Sequence, residues 1–217
     1  MVSGGLKINI LITQRINIFK ENSERRDCLD LEWTPTLNQM FGNKVNVYPM
    51  PNNIKDPLSW LKNISIDLIV LSGGNDIGEE ICRDNTEKIL LDFSLKKNIP
   101  VLGVCRGLQF LQKYYGGDLR IVTGHIGTNH FVYPTDNSIY PKRINVNSFH
   151  NYGIPLPKLV PEFEPLFIHM DNTVEAFCHK KFSWLATMWH PERYSPDRII
   201  TNNWIRNWFL KTIKKNH

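Results

Sequence analysis

Cys105 stands between two glycines in Gly103-Val104-Cys105-Arg106-Gly107, where an apolar run ends and a helical pattern begins. A G-x-C-x-G pattern between a buried strand and a helix is the context of a nucleophile elbow, a sharp and strained turn that lifts the reactive atom above the sheet. Glycines two positions to either side relieve the crowding such a turn creates. The turn also puts the thiol at a helix N-terminus, where the backbone dipole favours the thiolate. A buried core thiol is the alternative for any single cysteine. The glycine spacing and the strand–turn–helix context favour the nucleophile.

A cysteine nucleophile needs a base held by a third group. Of the seven histidines, His190 follows the apolar stretch Leu185-Ala186-Thr187-Met188-Trp189 and is followed by Pro191-Glu192. Glu192 can accept from the far ring nitrogen and fix the tautomer, which completes a Cys105–His190–Glu192 triad. Acyl transfer further requires N–H donors aimed at the developing oxyanion. The amide of Arg106 is one candidate. Gly73-Gly74, ending the apolar run Ile66–Leu71, offers Gly74 as the other.

These residues need elements to hold them. Leu6–Ile12, Lys44–Met50, Ile66–Leu71 and Pro100–Val104 read as strands, the last two as continuous apolar runs typical of parallel strands buried on both faces. Leu29–Met40, Asp56–Asn63, Asn85–Lys97 and Leu108–Tyr115 read as the helices between them. This alternation predicts an α/β fold, a mostly parallel central sheet with helices on both faces. Further strands are expected at Arg143–Phe149, Leu166–Met170, Val174–Cys178 and Trp184–Trp189. Ser195-Pro196-Asp197 opens a last helix striped by Ile200, Trp204, Trp208 and Ile213 and flanked by Ile205 and Phe209. That stripe packs on the sheet or offers a partner surface. Asn17–Arg26 and Gly124–Asn137 read as polar loops beside the site.

The 217 residues are 41% hydrophobic and 22% charged, which predicts a single globular domain spanning 1–217. The net charge of +5 suits anionic ligands, but the basic residues are scattered apart from a tail at Lys211, Lys214 and Lys215, so no nucleic-acid binding is expected. Four cysteines without a C-x-x-C pair, an apolar stretch too short for a secretory core, and no run near the ~18 apolar residues of a membrane span predict a cytoplasmic chain with free thiols and no membrane contact. His125 and His130 form a metal-like pair without a third ligand at suitable spacing, so neither a metal nor a cofactor is expected. Arg25 and Arg26 either meet an anionic substrate or pair with Asp27 or Asp30.

In this order, "SGGND", "GVCRGLQ" and "WHPE" resemble the motifs of class I glutamine amidotransferase domains, whose sandwich is flavodoxin-like. Arg106 after the cysteine, with "ERRDCLDLEW" and "VNSFHNYGI", resembles the free-standing γ-glutamyl hydrolase branch, peptidase family C26. The resemblance spans nearly the whole chain. It implies that Gln109 hydrogen-bonds a glutamyl group beside Gly73. It also implies that the Phe149-His150-Asn151 backbone lines the site for the glutamyl α-carboxylate. The implied substrate is a small-molecule γ-glutamyl amide, including one with a nucleotide-linked leaving group, and the implied products include glutamate. Two other readings stay open: a glutaminase subunit passing ammonia to a synthetase, and a non-catalytic thiol sensor. The oligomeric state is not encoded in any motif.

Overall fold

The computed structural model describes residues 7–42, 45–136 and 142–213. Leu6, Lys44, Asn137 and the tail lysines Lys214 and Lys215 fall outside them. In chain order the elements are β1 (Ile8–Thr13), β2 (Arg15–Phe19), β3 (Glu24–Cys28), α1 (Trp33–Phe41), β4 (Val45–Met50), α2 (Pro57–Trp60), β5 (Leu68–Leu71), α3 (Ile81–Lys97) and β6 (Val101–Val104). There follow α4 (Arg106–Tyr114), β7 (Arg120–Ile121), β8 (Ile126–Pro134), β9 (Ile144–Phe149), β10 (Tyr152–Gly153), β11 (Phe163–His169), β12 (Val174–His179), β13 (Trp184–Thr187) and α5 (Arg198–Ile213).

Nine strands form one sheet in the order β4-β1-β5-β6-β13-β12-β11-β8-β9. The pairings from β4 to β13 are all parallel, and those from β13 to β9 are all antiparallel. The sheet is therefore mixed, and the mostly parallel character expected holds only for the half that carries Cys105. The parallel strands are buried on both faces, which explains their uninterrupted apolar runs. Alternate residues divide them between two cores. Leu11, Ile69, Leu71, Val101 and Ala186 pack with Leu90 and Leu91 of α3 and Leu108 and Leu111 of α4. Ile10, Ile12, Leu68, Val70, Leu102 and Leu185 pack on the other face with Trp33, Leu37 and Met40 of α1 and Ile205 and Phe209 of α5.

Three readings are corrected. The face that α5 buries runs through Thr201, Asn202, Ile205 and Phe209; Trp204 and Trp208 of the expected stripe pack partly buried beside it, whereas Ile200 is exposed. Asn17–Arg26 is not a loop but most of the β2–β3 hairpin, which pairs only with itself. Most of Gly124–Asn137 is β8, a strand with one solvated face and hence a polar sequence. Among the described residues no helix is long and apolar enough to cross a membrane, and all four cysteines are free.

Candidate active site

β5, β6 and β13 are parallel neighbours, so their carboxyl ends deliver Ser72-Gly73-Gly74, Cys105 and His190 to one edge of the sheet. Ligands of open α/β sheets gather at this edge. Cys105 caps α4 with φ 52° and ψ −102°, a region that costs an L-residue on the order of 1–3 kcal/mol. Surrounding structure enforces it. The Cys105 amide donates to the Thr187 carbonyl at 2.8 Å, and the Cys105 carbonyl accepts the first helical bond from Gln109 at 3.1 Å. Gly107 lets α4 press onto β5, because a β-carbon there would stand 2.2 Å from the Leu71 carbonyl oxygen.

His190 Nδ1 and Glu192 Oε1 are 2.7 Å apart, and both side chains are buried. Asn147 of β9 fixes the loop between them from both sides. Its Oδ1 accepts from the His190 amide at 2.8 Å, and its Nδ2 donates to the His190 carbonyl at 2.8 Å. Burial disfavours a charged imidazole, but the Cys105 thiolate and the Glu192 carboxylate outweigh it and push the His190 pKa up to about 9. Burial likewise raises the Cys105 thiol, yet the facing His190, with a smaller contribution from His150, holds it below the ordinary thiol value. Each group therefore favours the charged form of the other, thiolate beside imidazolium, the charge state that lets a thiol attack a carbonyl and an imidazole protonate a leaving group.

The glycine turn is fixed from beneath by Arg83 of α3, which is completely buried. Its guanidinium donates to the carbonyls of Ser72 (2.7 Å), Gly73 (3.1 Å) and Gly74 (2.6 Å). Glu87, one helical turn on, accepts from Arg83 Nε at 3.0 Å and from the Thr13 hydroxyl at 2.9 Å, and it also pairs with Arg106. The Arg106 side chain points away from the substrate side, to Glu87 and Asp84, while its amide opens α4 directly after Cys105. Glu87 thus ties the elbow to the glycine turn through two arginines. Gly73 carries no side chain for a visible reason: a β-carbon would lie 2.6 Å from His190 Cε1. Gly73→Ala is expected to leave the fold intact and to displace the His190 ring. A misplacement of that size lowers turnover by about 10²-fold, and comparing kcat with melting temperature checks it.

The remaining expected residues divide. The Phe149 ring meets His190 edge-on at 5.9 Å and carries the Arg193 guanidinium at 4.8 Å. Gln109 is buried and donates to the Tyr152 carbonyl at 2.9 Å. The His150 amide is already bonded to the His125 carbonyl at 3.1 Å, and the Asn151 carbonyl accepts from the Val122 amide at 2.9 Å. The His150 amide is therefore already engaged within the fold. Arg25 pairs with Glu80, and Arg26 with Glu24 at 2.7 Å, so neither meets the expected Asp27 or Asp30 and neither lines the cavity at His190. Arg15 does line it. The cavity, about 160 Å³, is bounded by Arg15, Asn17, Cys28, Asp30, Gly73, His190 and Arg193. A second one of about 250 Å³ contains Gln109, Lys113, Asp76 and Tyr152. Sequence reasoning missed Asn147, Arg83, Glu87 and Arg15. An Arg–Glu pair four residues apart reads as an ordinary helix-surface pair, and Asn147 shows its role only once β9 lies against the His190 loop.

A family model described as "Glutamine amidotransferase class-I" matches residues 37–211, which include Gly73, Gly74, Cys105, Gln109, His190 and Glu192. The chain belongs to the class I glutamine amidotransferase family. This is a family of carbon–nitrogen hydrolases. The glutamine amidotransferase domain found here is 34% identical over 188 residues to gamma-glutamyl-CDP-amidate hydrolase of Campylobacter jejuni, covering 84% of this chain and 88% of that protein. It is 29% identical over 140 residues to a subunit of the glutamine-hydrolyzing GMP synthase of Pyrococcus furiosus, covering 63% of this chain and 71% of that one. The fold matches a glutamine amidotransferase structure from Thermotoga maritima with a TM-score of 0.63 at 21% identity, over 98% of this chain and 86% of that one.

Proposed function

We propose that this chain hydrolyses a γ-glutamyl amide through Cys105 and releases glutamate, and that the leaving nitrogen carries a nucleoside diphosphate, as in γ-glutamyl-CDP-amidate. The observation that carries the reaction is the Cys105 elbow facing the His190–Glu192 pair. In this reading Cys105 Sγ attacks the γ-carbonyl carbon while the Gly74 and Arg106 amides receive the oxyanion. The C–N bond breaks, and the His190 imidazolium gives its proton to the departing nitrogen. A water molecule then attacks the thioester and loses a proton to His190. The C–S bond breaks, releasing glutamate and restoring the thiolate. The glutamyl moiety occupies the Gln109 cavity, and the leaving group lies in the cavity at His190.

The leaving-group assignment is supported by two cations, Arg15 and Arg193, on the His190 cavity, and by the similarity to the Campylobacter jejuni hydrolase over most of both chains. Arginine is suited to diphosphate oxygens by its planar donor fork. Glutamate release from γ-glutamyl-CDP-amidate, γ-glutamyl-γ-aminobutyrate and glutamine, measured side by side, tests it. The diphosphate compound is expected to be turned over with the highest kcat/KM. Arg15→Ala is expected to raise KM for that compound by about 10-fold, the effect of one charge-assisted hydrogen bond, and to leave γ-glutamyl-γ-aminobutyrate unaffected. The similarity to a component of a GMP synthase favours a second reading, an ammonia-supplying protein. Glutamine turnover that is negligible alone and rises steeply with an added synthetase would establish that reading instead.

The pH profile follows from the thiolate–imidazolium pair. On the acid side kcat/KM falls as Cys105, which titrates below the ordinary thiol value, takes up a proton. On the alkaline side it falls near the His190 value of about 9, where the proton for the leaving nitrogen is lost. The expected result is a bell whose two limbs belong to the pair as a whole. A profile with no alkaline fall near the His190 value of about 9 would count against this charge state.

A further inference from the structure

The antiparallel half of the sheet gathers histidines that the proposed reaction does not use. His125 precedes β8, His130 lies within it, His150 follows β9, and His169 ends β11. Their rings pack at 4.4–4.9 Å between centroids. Glu175 of β12 stands in their midst, fully buried, and neither of its carboxylate oxygens has a hydrogen-bond partner. Its Oε1 is 3.6 Å from His125 Nδ1 and 3.6 Å from His150 Nε2, and its Oε2 is 3.4 Å from His130 Nε2. All three nitrogens lack a hydrogen-bond partner as well.

The outer contacts of the rings decide what faces Glu175. His150 Nδ1 lies 2.9 Å from the Tyr152 carbonyl, which can only accept, so Nδ1 carries a proton and Nε2 is the atom turned to Glu175. His125 Nε2 lies 2.9 Å from Asp171 Oδ2, so its proton is on Nε2 and its lone pair on Nδ1. Two ring nitrogens without a hydrogen-bond partner thus converge on a fully buried carboxylate that also lacks one, an arrangement that calls for a cation between them.

We infer that His125, His150 and Glu175 bind a divalent transition metal of the zinc type, with the fourth position left to water. Nitrogen and carboxylate donors in a tetrahedral zinc site lie about 3.3 Å apart, close to the 3.6 Å separations of His125 Nδ1 and His150 Nε2 from Glu175 Oε1 here. Asp171 is the outer carboxylate that orients a ligating histidine. Its other oxygen lies 3.0 Å from His169 Nδ1. His130 and His169 are only partly buried and Asp171 is exposed on its side chain, which gives the ion a path from solvent. The site meets the proposed active centre at the Tyr152 carbonyl, which accepts from both His150 and Gln109. The metal is a structural clamp on the Gln109 wall and takes no part in the bond-breaking steps.

The test uses the full-length chain stripped with a chelator, then supplied with Zn²⁺ or Co²⁺ alone. One equivalent of Zn²⁺ is expected to survive gel filtration and to raise the melting temperature. Co²⁺ is expected to give the visible absorption of a four-coordinate site. Cys105→Ala keeps both signals, which separates this site from the catalytic thiol. Asp171→Asn, a change at an exposed side chain, weakens binding by about 10–100-fold, and Glu175→Gln abolishes it. The inference is overturned by less than stoichiometric binding to the folded chain, by loss of the metal in Cys105→Ala, or by unchanged affinity in Asp171→Asn. A metal-free chain of equal stability whose clustered histidines titrate as imidazolium ions overturns it too. None of these readouts depends on substrate turnover.

Discussion

Cys105→Ala is expected to reduce glutamate release from γ-glutamyl-CDP-amidate by about 10⁴- to 10⁶-fold, the scale of loss when a member of a nucleophile–base unit is removed. Because Cys105, His190 and Glu192 act together, His190→Ala is expected to cost nearly as much, and the double variant little more than either alone. The stability of the nucleophile variants separates chemistry from folding. Alanine at φ 52° keeps the backbone strain, whereas glycine adopts that conformation freely. Cys105→Gly is therefore expected to be equally inactive but more resistant to urea than Cys105→Ala, by about 1 kcal/mol. Turnover in either variant above a hundredth of the parent would remove Cys105 from the mechanism.

The second large effect lies beneath the site. Glu87→Gln removes the carboxylate of Arg83 and leaves Arg106 with Asp84 alone, two arginines and one acid in the protein interior. Breaking a buried ion pair on one side costs about 3–5 kcal/mol, a large part of the ~5–15 kcal/mol that stabilises a domain. Burial opposes ionisation of Glu87, but Arg106 and Arg83 overcome it and hold its pKa below the ordinary carboxylate value. A depressed carboxylate contributes stability above its unfolded pKa of about 4.3 and loses it as pH falls through the folded value. Denaturant midpoints are therefore expected to fall in acid for the parent chain and to show a smaller change there for Glu87→Gln. Activity is expected to drop with the substitution as well, since the elbow and the Gly73-Gly74 turn share this anchor. Midpoints within about 1 kcal/mol of each other near neutral pH, converted through the denaturant slope, would show the network to be expendable.

The sequence carried the half of the fold that is simplest physically. Strands buried on both faces must be apolar throughout, so Ile66–Leu71 and Pro100–Val104 announced themselves, and the residues at their ends followed. Chemistry that depends on adjacent positions was equally legible: Gly103 with Gly107 around Cys105, and His190 with Glu192. Partners brought together by pairing were not. His125, His150 and Glu175 lie on different strands or at their ends, and their convergence depends on the β12-β11-β8-β9 order, which no local pattern encodes. β8 was hidden because its outer face is solvated. Arg25 and Arg26 misled because charge alone does not tell a substrate ligand from half of a surface ion pair.

The β2–β3 hairpin differs from the rest of the site in one further respect. Cys105, His190 and the glycine turn stand on strands that cannot separate without breaking the central sheet, so their amides are expected to exchange with solvent only through global unfolding. The hairpin pairs with no strand of that sheet. It is held by Asn75, whose side chain bonds the Ile16 amide and carbonyl, by Asp27, which accepts from Asn52, and by the Arg25–Glu80 ion pair. It can open by local rupture of these few bonds, carrying Arg15 and Asn17 away from the cavity at His190. The catalytic floor and the wall beside the leaving group should therefore live on different clocks. Product departure would then be timed by the hairpin, with the reacting groups standing still.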